Sequence, residues 1–359
     1  GPSSYNPVNY QERFSLENAV FASSDWQATE KLNIGFGVRL TGFSILGGGD
    51  FLTVDPNGNV TNSTYYKKGE VVKTYLNLEP RLSLSYLLNA QSSVKASYVR
   101  NAQNMHMISN STSSRPSDKW LPSSLMVKPE VSDQFAVGYY RNLFDNAFEL
   151  NVESYYKTMD NQIDYRDGAE TFNSDNIETQ LLYGIGRAYG LEVLFKKKKG
   201  DFTGWLSYTL SKTERQIDGI NDGNWYNARQ DRTHEVALVG SYQLNKRWSL
   251  SASWIYYTGD AITFPTGKYN MDGQVFFYYT DRNTYRMPSY HRLDLGANLQ
   301  LKKRKNFSSE LSFSLYNAYG RKNAYMINFR EAENDPSRTE VVRTTLFQFL
   351  PSVSYNFKF

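Results

Sequence analysis

Pro351-Ser352-Val353-Ser354-Tyr355-Asn356-Phe357-Lys358-Phe359 closes the chain by alternating apolar and polar residues and stopping on an aromatic. At period two, Phe347, Phe349, Pro351, Val353, Tyr355, Phe357 and Phe359 share one face. Gln348, Ser352, Ser354, Asn356 and Lys358 share the other, with Leu350 the exception. A face so fully apolar, backed by one so polar, suits a strand with lipid on one side and water on the other.

The same alternation recurs upstream. Val236, Leu238, Gly240, Tyr242 and Leu244 alternate with Glu235, Ala237, Val239, Ser241 and Gln243. After the turn Asn245-Lys246-Arg247, Trp248, Leu250, Ala252, Trp254 and Tyr256 alternate with Ser249, Ser251 and Ser253. Trp248 at one end and Tyr256-Tyr257 at the other place rings at both expected membrane interfaces. Composition fits this reading. Mean hydropathy is −0.59, and no apolar run approaches the roughly 18 residues of a membrane helix. Yet 28 Tyr and 21 Phe lift the aromatic share to 15%, as expected when only every second residue meets lipid. Cysteine is absent, in keeping with an oxidising compartment, and a net charge of +4 is too mild to argue for nucleic acid.

Thirteen such strands are predicted, at 14–24, 32–45, 74–88, 92–103, 131–143, 147–159, 183–197, 202–212, 234–244, 248–257, 291–301, 306–317 and 345–359. Their connections alternate between short (25–31, 89–91, 144–146, 198–201, 245–247, 302–305) and long (46–73, 104–130, 160–182, 213–233, 258–290, 318–344). Sorting short turns to one side and long loops to the other is the pattern of an all-β, antiparallel, up-and-down transmembrane β-barrel. One face of most strands is polar, which requires a wet or protein-filled lumen. Glu79, Arg81, Glu149, Glu153 and Asp294 are the lumen-facing charges singled out. An odd strand count leaves the first strand without an antiparallel neighbour, so residues 14–359 are expected to be the C-terminal part of a larger barrel. Residues 1–13 are expected to be the end of an extracellular loop or a remnant of tag removal.

Particular stretches point to a family. Tyr75-Leu76-Asn77-Leu78-Glu79-Pro80-Arg81-Leu82-Ser83-Leu84-Ser85-Tyr86, Ser92-Ser93-Val94-Lys95-Ala96-Ser97-Tyr98 and Trp205-Leu206-Ser207-Tyr208-Thr209-Leu210-Ser211 are three of them. Ala228-Arg229-Gln230-Asp231-Arg232-Thr233-His234, Ser253-Trp254-Ile255-Tyr256-Tyr257-Thr258-Gly259 and Pro288-Ser289-Tyr290-His291-Arg292-Leu293-Asp294-Leu295 follow in order. Together they resemble the C-terminal barrel half of TonB-dependent outer-membrane receptors of the Bacteroidetes type. The resemblance implies a 22-stranded barrel closed by an N-terminal plug, of which this chain would hold the last thirteen strands. It also implies residence in the bacterial outer membrane among its lipids, a TonB-type energy-coupling protein acting through the plug, and the barrel-assembly machinery as a partner in biogenesis. Tyr355, Phe357 and Phe359 would then form the assembly signal, and a surface lipoprotein is a further candidate partner.

Catalytic readings are weak. Asp231-Arg232-Thr233-His234 is better read as a loop-to-strand junction with an internal Asp–Arg contact. Three histidines (His106, His234, His291) without cysteine or an HExxH motif support no metal site, and no cofactor is expected. The Glu149/Glu153 spacing reads as lumen polarity. Asp55-Pro56-Asn57-Gly58 reads as a hairpin tip beyond the membrane, and the basic runs 196–199 and 302–305 as solvated or headgroup-contacting turns. Trp225, Tyr226 and Arg229 are the candidate ligand contacts, with the aromatic pair equally readable as an interface anchor or a loop cap. The expected function is a segment of an outer-membrane receptor–transporter, taking up a scarce nutrient through a plugged barrel in a TonB-dependent way. The alternatives are a smaller passive porin, a surface-exposed adhesion or assembly barrel, or a truncated barrel held as a client of the assembly machinery.

Overall fold

Strands with one apolar and one polar face must form a wall between two solvents, and a computed structural model shows such a wall. It describes residues 12–55, 59–108, 118–169, 177–271, 274–304, 306–332 and 334–359. The strands, in chain order, begin with β1 (Phe14–Gln27), β2 (Leu32–Leu46), β3 (Gly49–Val54), β4 (Val60–Tyr66), β5 (Val71–Asn89) and β6 (Ser92–Gln103). Then come β7 (Met105–Ile108), β8 (Lys119–Pro122), β9 (Glu130–Leu143), β10 (Phe148–Tyr165), β11 (Leu181–Lys197) and β12 (Phe202–Ile217). β13 (Tyr226–Asn227), β14 (His234–Gln243), β15 (Trp248–Tyr257), β16 (Ala261–Ile262), β17 (Gly267–Met271) and β18 (Gln274–Tyr278) follow. The last are β19 (Tyr285–Arg286), β20 (Tyr290–Arg304), β21 (Phe307–Tyr316), β22 (Met326–Ala332), β23 (Asp335–Thr344) and β24 (Leu350–Lys358).

One antiparallel sheet runs β1-β2-β5-β6-β9-β10-β11-β12-β14-β15-β20-β21-β24, each strand beside its neighbours in order, with β13 added against β12. All thirteen predicted strands are on this path. The long connections fold into small structures of their own: hairpins β3–β4, β7–β8, β17–β18 and β22–β23, the pair β16–β19, and 3-10 turns at Ile177–Gln180 and Asn221–Gly223. No described helix is long and apolar enough to cross a membrane.

Register sorts the faces. Tyr242, Leu250, Ala297, Phe313 and Val353 lie side by side across β14, β15, β20, β21 and β24. The adjacent row is Ser241, Ser251, Gly296, Ser314 and Ser352, on the opposite face. Aromatic rings collect at both margins of the apolar face. Tyr98–Phe135, Tyr156–Tyr189 and Tyr208–His234 pair toward the long loops. Phe148–Phe195, Trp248–Phe313 and Phe307–Phe359 pair toward the short turns. Eight residues separate Phe148 from Tyr156, roughly 26 Å of strand at about 3.3 Å per residue, which suits a tilted crossing.

The buried apolar residues sit at the loop end. Phe43, Ile45 and Phe51 form one cluster, Ile108, Val127, Ile163, Tyr165 and Leu181 a second, and Ile217, Ile220 and Tyr226 a third. The loops thus have small cores of their own, while Leu76, Leu78, Phe135, Leu238 and Val353 on the wall stay exposed.

Three expectations need correction. The last strand begins at Leu350, not 345, because 345–349 carry the chain from hairpin β22–β23 back to the wall; Phe347 and Phe349 therefore precede the strand. Pro351 sits opposite Leu315 near the start of β24, which among the described residues pairs with β21 alone, an edge position of the kind proline occupies. The expected Asp231–Arg232 contact gives way to separate partners: Asp231, where a turn closes through its N–H onto Ala228 O, pairs with Arg286, and Arg232 pairs with Asp260. Several strands also outrun their predicted ends, β10 to Tyr165 and β12 to Ile217, since the loop cores extend the ladder. The expected hairpin around 55–58 has its flanks in place, with Val54 opposite Val60 and Asn59 N–H donating to Asp55 Oδ1 at 2.8 Å; Pro56–Gly58 lie outside the described residues, as do residues 1–11 of the expected loop end.

Candidate functional site

The polar face of the wall ends, beneath the long loops, in two groups of side chains. The first lines a cavity of about 490 Å³ between β1, β2, β5, β6, β9 and β10. Glu17, Arg39, Glu79, Glu130 and Lys157 supply its charges, and Thr41 donates to Glu79 Oε1 at 2.8 Å. Glu79 is buried, which a carboxylate tolerates only with such a donor. Asn104 reaches across to Glu17 at 3.1 Å. The second group lies on β15, β20 and β21. Arg292 donates to Asp294 at 2.9 Å and to the Tyr290 and Tyr316 hydroxyls at 3.0 Å, and its guanidinium lies 4.2 Å over the Tyr316 ring. Tyr257 stacks on Tyr290 with centroids 4.7 Å apart, and Arg232 covers Tyr257 from 3.9 Å. Arginine and phenol groups together offer donors and flat surfaces to an anionic or aromatic ligand.

Over these walls the loops are locked by a buried ion pair. Arg282 donates to Asp164 Oδ1 at 2.8 Å, both almost without solvent exposure, and Tyr226 OH donates to Asp164 Oδ2 at 2.9 Å. Asn221 closes the knot by accepting the Arg282 N–H at 2.7 Å, and the Asn283 amide donates to Asn227 O at 2.8 Å. Three connections, those after β10, β12 and β15, are thereby tied into one cap. Burial, then the Asp164 charge, pushes the Tyr226 phenol pKa upward, keeping it a neutral donor. In the loop after β10, burial likewise raises the Glu178 carboxyl, only partly offset by the Ser124 hydroxyl and Arg13.

The ligand candidates do not form one surface. Tyr226 is buried and serves the cap, so its ring offers no stacking face. Trp225, the preceding residue, lies instead 4.1 Å under Arg187, which pairs with Glu214 at 2.8 Å. Arg229 reaches Asp118 at 3.3 Å. Among the lumen candidates, Glu79 lines the first cavity and Arg81 lies two residues further down the same face of β5. Asp294 belongs to the second group, whereas Glu149 sits near the short turns with Lys198 at 3.1 Å. Glu153 stands directly opposite Glu192. Tyr355, Phe357 and Phe359 are exposed on the apolar face. Sequence reasoning missed Arg292, although its spacing of two from Asp294 placed both on one face. Arg282 and Asp164 carried no such signal, being 118 residues apart. No group of three or more metal-ligating side chains occurs among the described residues.

Residues 1–318 match the protein family described as TonB dependent receptor-like, beta-barrel. Curated protein sequences give no match. Among solved structures, the chain is similar to the siderophore receptor PiuA from Acinetobacter baumannii: 14% identity, TM-score 0.59, 96% of this chain and 43% of that one. It is also similar to the FrpB iron transporter from Neisseria meningitidis (12%, TM-score 0.57, 97% and 46%). A third is the ferric-catecholate import receptor Fiu from E. coli K12 (16%, TM-score 0.52, 95% and 45%). At these identities the likeness is one of fold, and the chain spans less than half the length of each of these structures. The chain belongs to the TonB dependent receptor-like β-barrel family, a family of the bacterial outer membrane.

Proposed function

We propose that this chain is the C-terminal portion of a 22-stranded, plugged receptor of the Bacteroidetes type, and that the intact protein takes up a scarce nutrient with energy relayed by a TonB-type protein. The observation that carries the reading is the rigid loop cap standing over a polar, arginine- and tyrosine-lined wall. A passive pore gains nothing from a buried ion pair tying three loops together; a receptor gains a preorganised surface. The strand edges support the larger barrel. β1 and β24 each pair on one side only among the described residues, and unpaired edges are costly in lipid. The neighbours named as siderophore and iron receptors make a ferric chelate the first nutrient class to test.

The test is uptake of radiolabelled ferric chelates by cells carrying the intact receptor, with and without an uncoupler. The reading expects saturable uptake abolished by the uncoupler. Uptake that is linear in concentration and indifferent to the uncoupler indicates a passive pore and overturns it.

A further inference from the structure

Charge is distributed unequally over the short turns. The turn between β11 and β12 carries Lys198 and Lys199 after Lys196 and Lys197, with Asp201 as its acid. The turn between β14 and β15 carries Lys246 and Arg247, and β20 ends on Lys302, Lys303 and Arg304. The turn between β1 and β2 holds one Glu and one Lys, that between β5 and β6 is uncharged, and that between β9 and β10 holds only Asp145. The three basic turns are neighbours along the rim. Gln243 N–H donates to Asp201 O and Gln300 N–H to Arg247 O, both at 2.8 Å, and Lys358 of β24 lies opposite Ser308 of β21.

Depth is fixed by the aromatic margin. Phe195, Phe202, Trp248, Phe307 and Phe359 lie within three residues of these cations in sequence, and Lys197 Nζ rests 5.3 Å over the Phe148 ring. Rings of this kind settle at the headgroup level of a bilayer, so the cations stand at or just beyond it. Lys198 is engaged by Glu149, but Lys246, Lys302, Lys303 and Arg304 are exposed and make no ion pair among the described residues. Cations at this depth are attracted to a layer of phosphate.

We propose that the rim from β11 to β24 docks the anionic phospholipid headgroups of the leaflet facing the short turns, giving this arc of the wall an acidic lipid shell that the arc from β1 to β9 lacks. The proposal rests on the outer-membrane receptor reading under Proposed function and takes the short turns to face the periplasm, the side on which up-and-down outer-membrane barrels carry their short connections. Each cation contributes by long-range attraction to phosphate, and Lys and Arg stems allow their heads to reach it from the protein edge.

The test counts lipids retained on the intact detergent-solubilised protein by native mass spectrometry, after titration with phosphatidylglycerol or with phosphatidylethanolamine. Phosphatidylglycerol is expected to be retained at least ~5-fold better, the factor a single basic residue near an anionic surface supplies. Combining Lys246→Gln, Arg247→Gln, Lys302→Gln and Lys303→Gln is expected to lower the preference several-fold. Replacing the three lysines by arginine is expected to keep it, as is Lys67→Gln with Lys68→Gln in the opposite, long-loop layer. An unchanged preference in the glutamine variant overturns the proposal, as does displacement by inorganic phosphate, which marks a simple anion site. Retention of lipopolysaccharide through these same residues overturns the assumed orientation as well. A heat-shifted band on gels verifies that each variant is a folded barrel. A missing band in the parent counts against the barrel reading; a normal band without lipid preference counts against the lipid arc alone.

Discussion

Arg282 and Asp164 show how much rests on single side chains in a protein whose wall is mostly exposed. Their guanidinium and carboxylate are buried together, so removing Arg282 leaves the buried Asp164 charge with only the Tyr226 hydroxyl and the more distant Arg215, 3.9 Å away, to offset it. Arg282→Met is expected to destabilise the loop cap by about 3–5 kcal/mol, the usual cost of breaking a buried pair, while sparing the wall. Hydrogen exchange checks this: protection should fall in 163–169 and 221–227 and persist in β14 and β15. Glu178 supplies a pH dependence. Its folded pKa is raised from the ordinary 4.5 by burial, so the protonated form is the one the cap favours. The stability it contributes is complete below about pH 4.5 and is lost as pH rises through the folded value. Limited proteolysis should therefore cut the loop after β10 faster at neutral pH than under acid conditions. Glu178→Gln should remove the difference and protect at both.

Strands are where the physical pattern is simplest and where the sequence was most legible. β6 and β15 have the ends predicted for them, Ser92–Gln103 and Trp248–Tyr257, because alternation and turn chemistry stop at the same residues. β24 was misjudged at its start because Phe347 and Phe349 continue the alternation without joining the ladder; periodicity reports a face and not a hydrogen bond. The loop layer was legible only as long and polar. Its hairpins and ion pairs join residues far apart in the chain, and Tyr226, read as a ligand contact or loop cap, proves to be buried only once Asp164 is placed beside it. The two faces of one strand supply a direct prediction. Val353→Lys puts a charge on the lipid side and should cost ~2–4 kcal/mol near the bilayer midplane, while Ser354→Lys faces water and should cost less than 1. Urea unfolding of the intact protein in vesicles measures both.

At the scale of the molecule, the protein separates its tasks in space: apolar side chains outside, a polar wall within, and small loop cores that hold a rigid cap over one end. This division explains why mean hydropathy is −0.59 in a chain built to cross a membrane. Glu153 and Glu192 face one another across adjacent strands of the polar wall, an arrangement that disfavours the isolated wall and makes a filled or hydrated lumen part of its stability. Glu192→Gln is expected to stabilise the folded barrel by ~0.2–1 kcal/mol, read as a raised temperature for the loss of the heat-modifiable band.

The central claim is that consecutive residues of the wall meet different solvents. The chain has no cysteine, so single cysteines introduced one at a time at positions 352–357 can be spin-labelled without background. Collision with oxygen reports lipid, and collision with a water-soluble nickel chelate reports water. In membranes, oxygen accessibility should peak at 353, 355 and 357 and nickel accessibility at 352, 354 and 356, strictly out of phase. Uniform nickel accessibility along all six positions, or two profiles without a two-residue period, would contradict it.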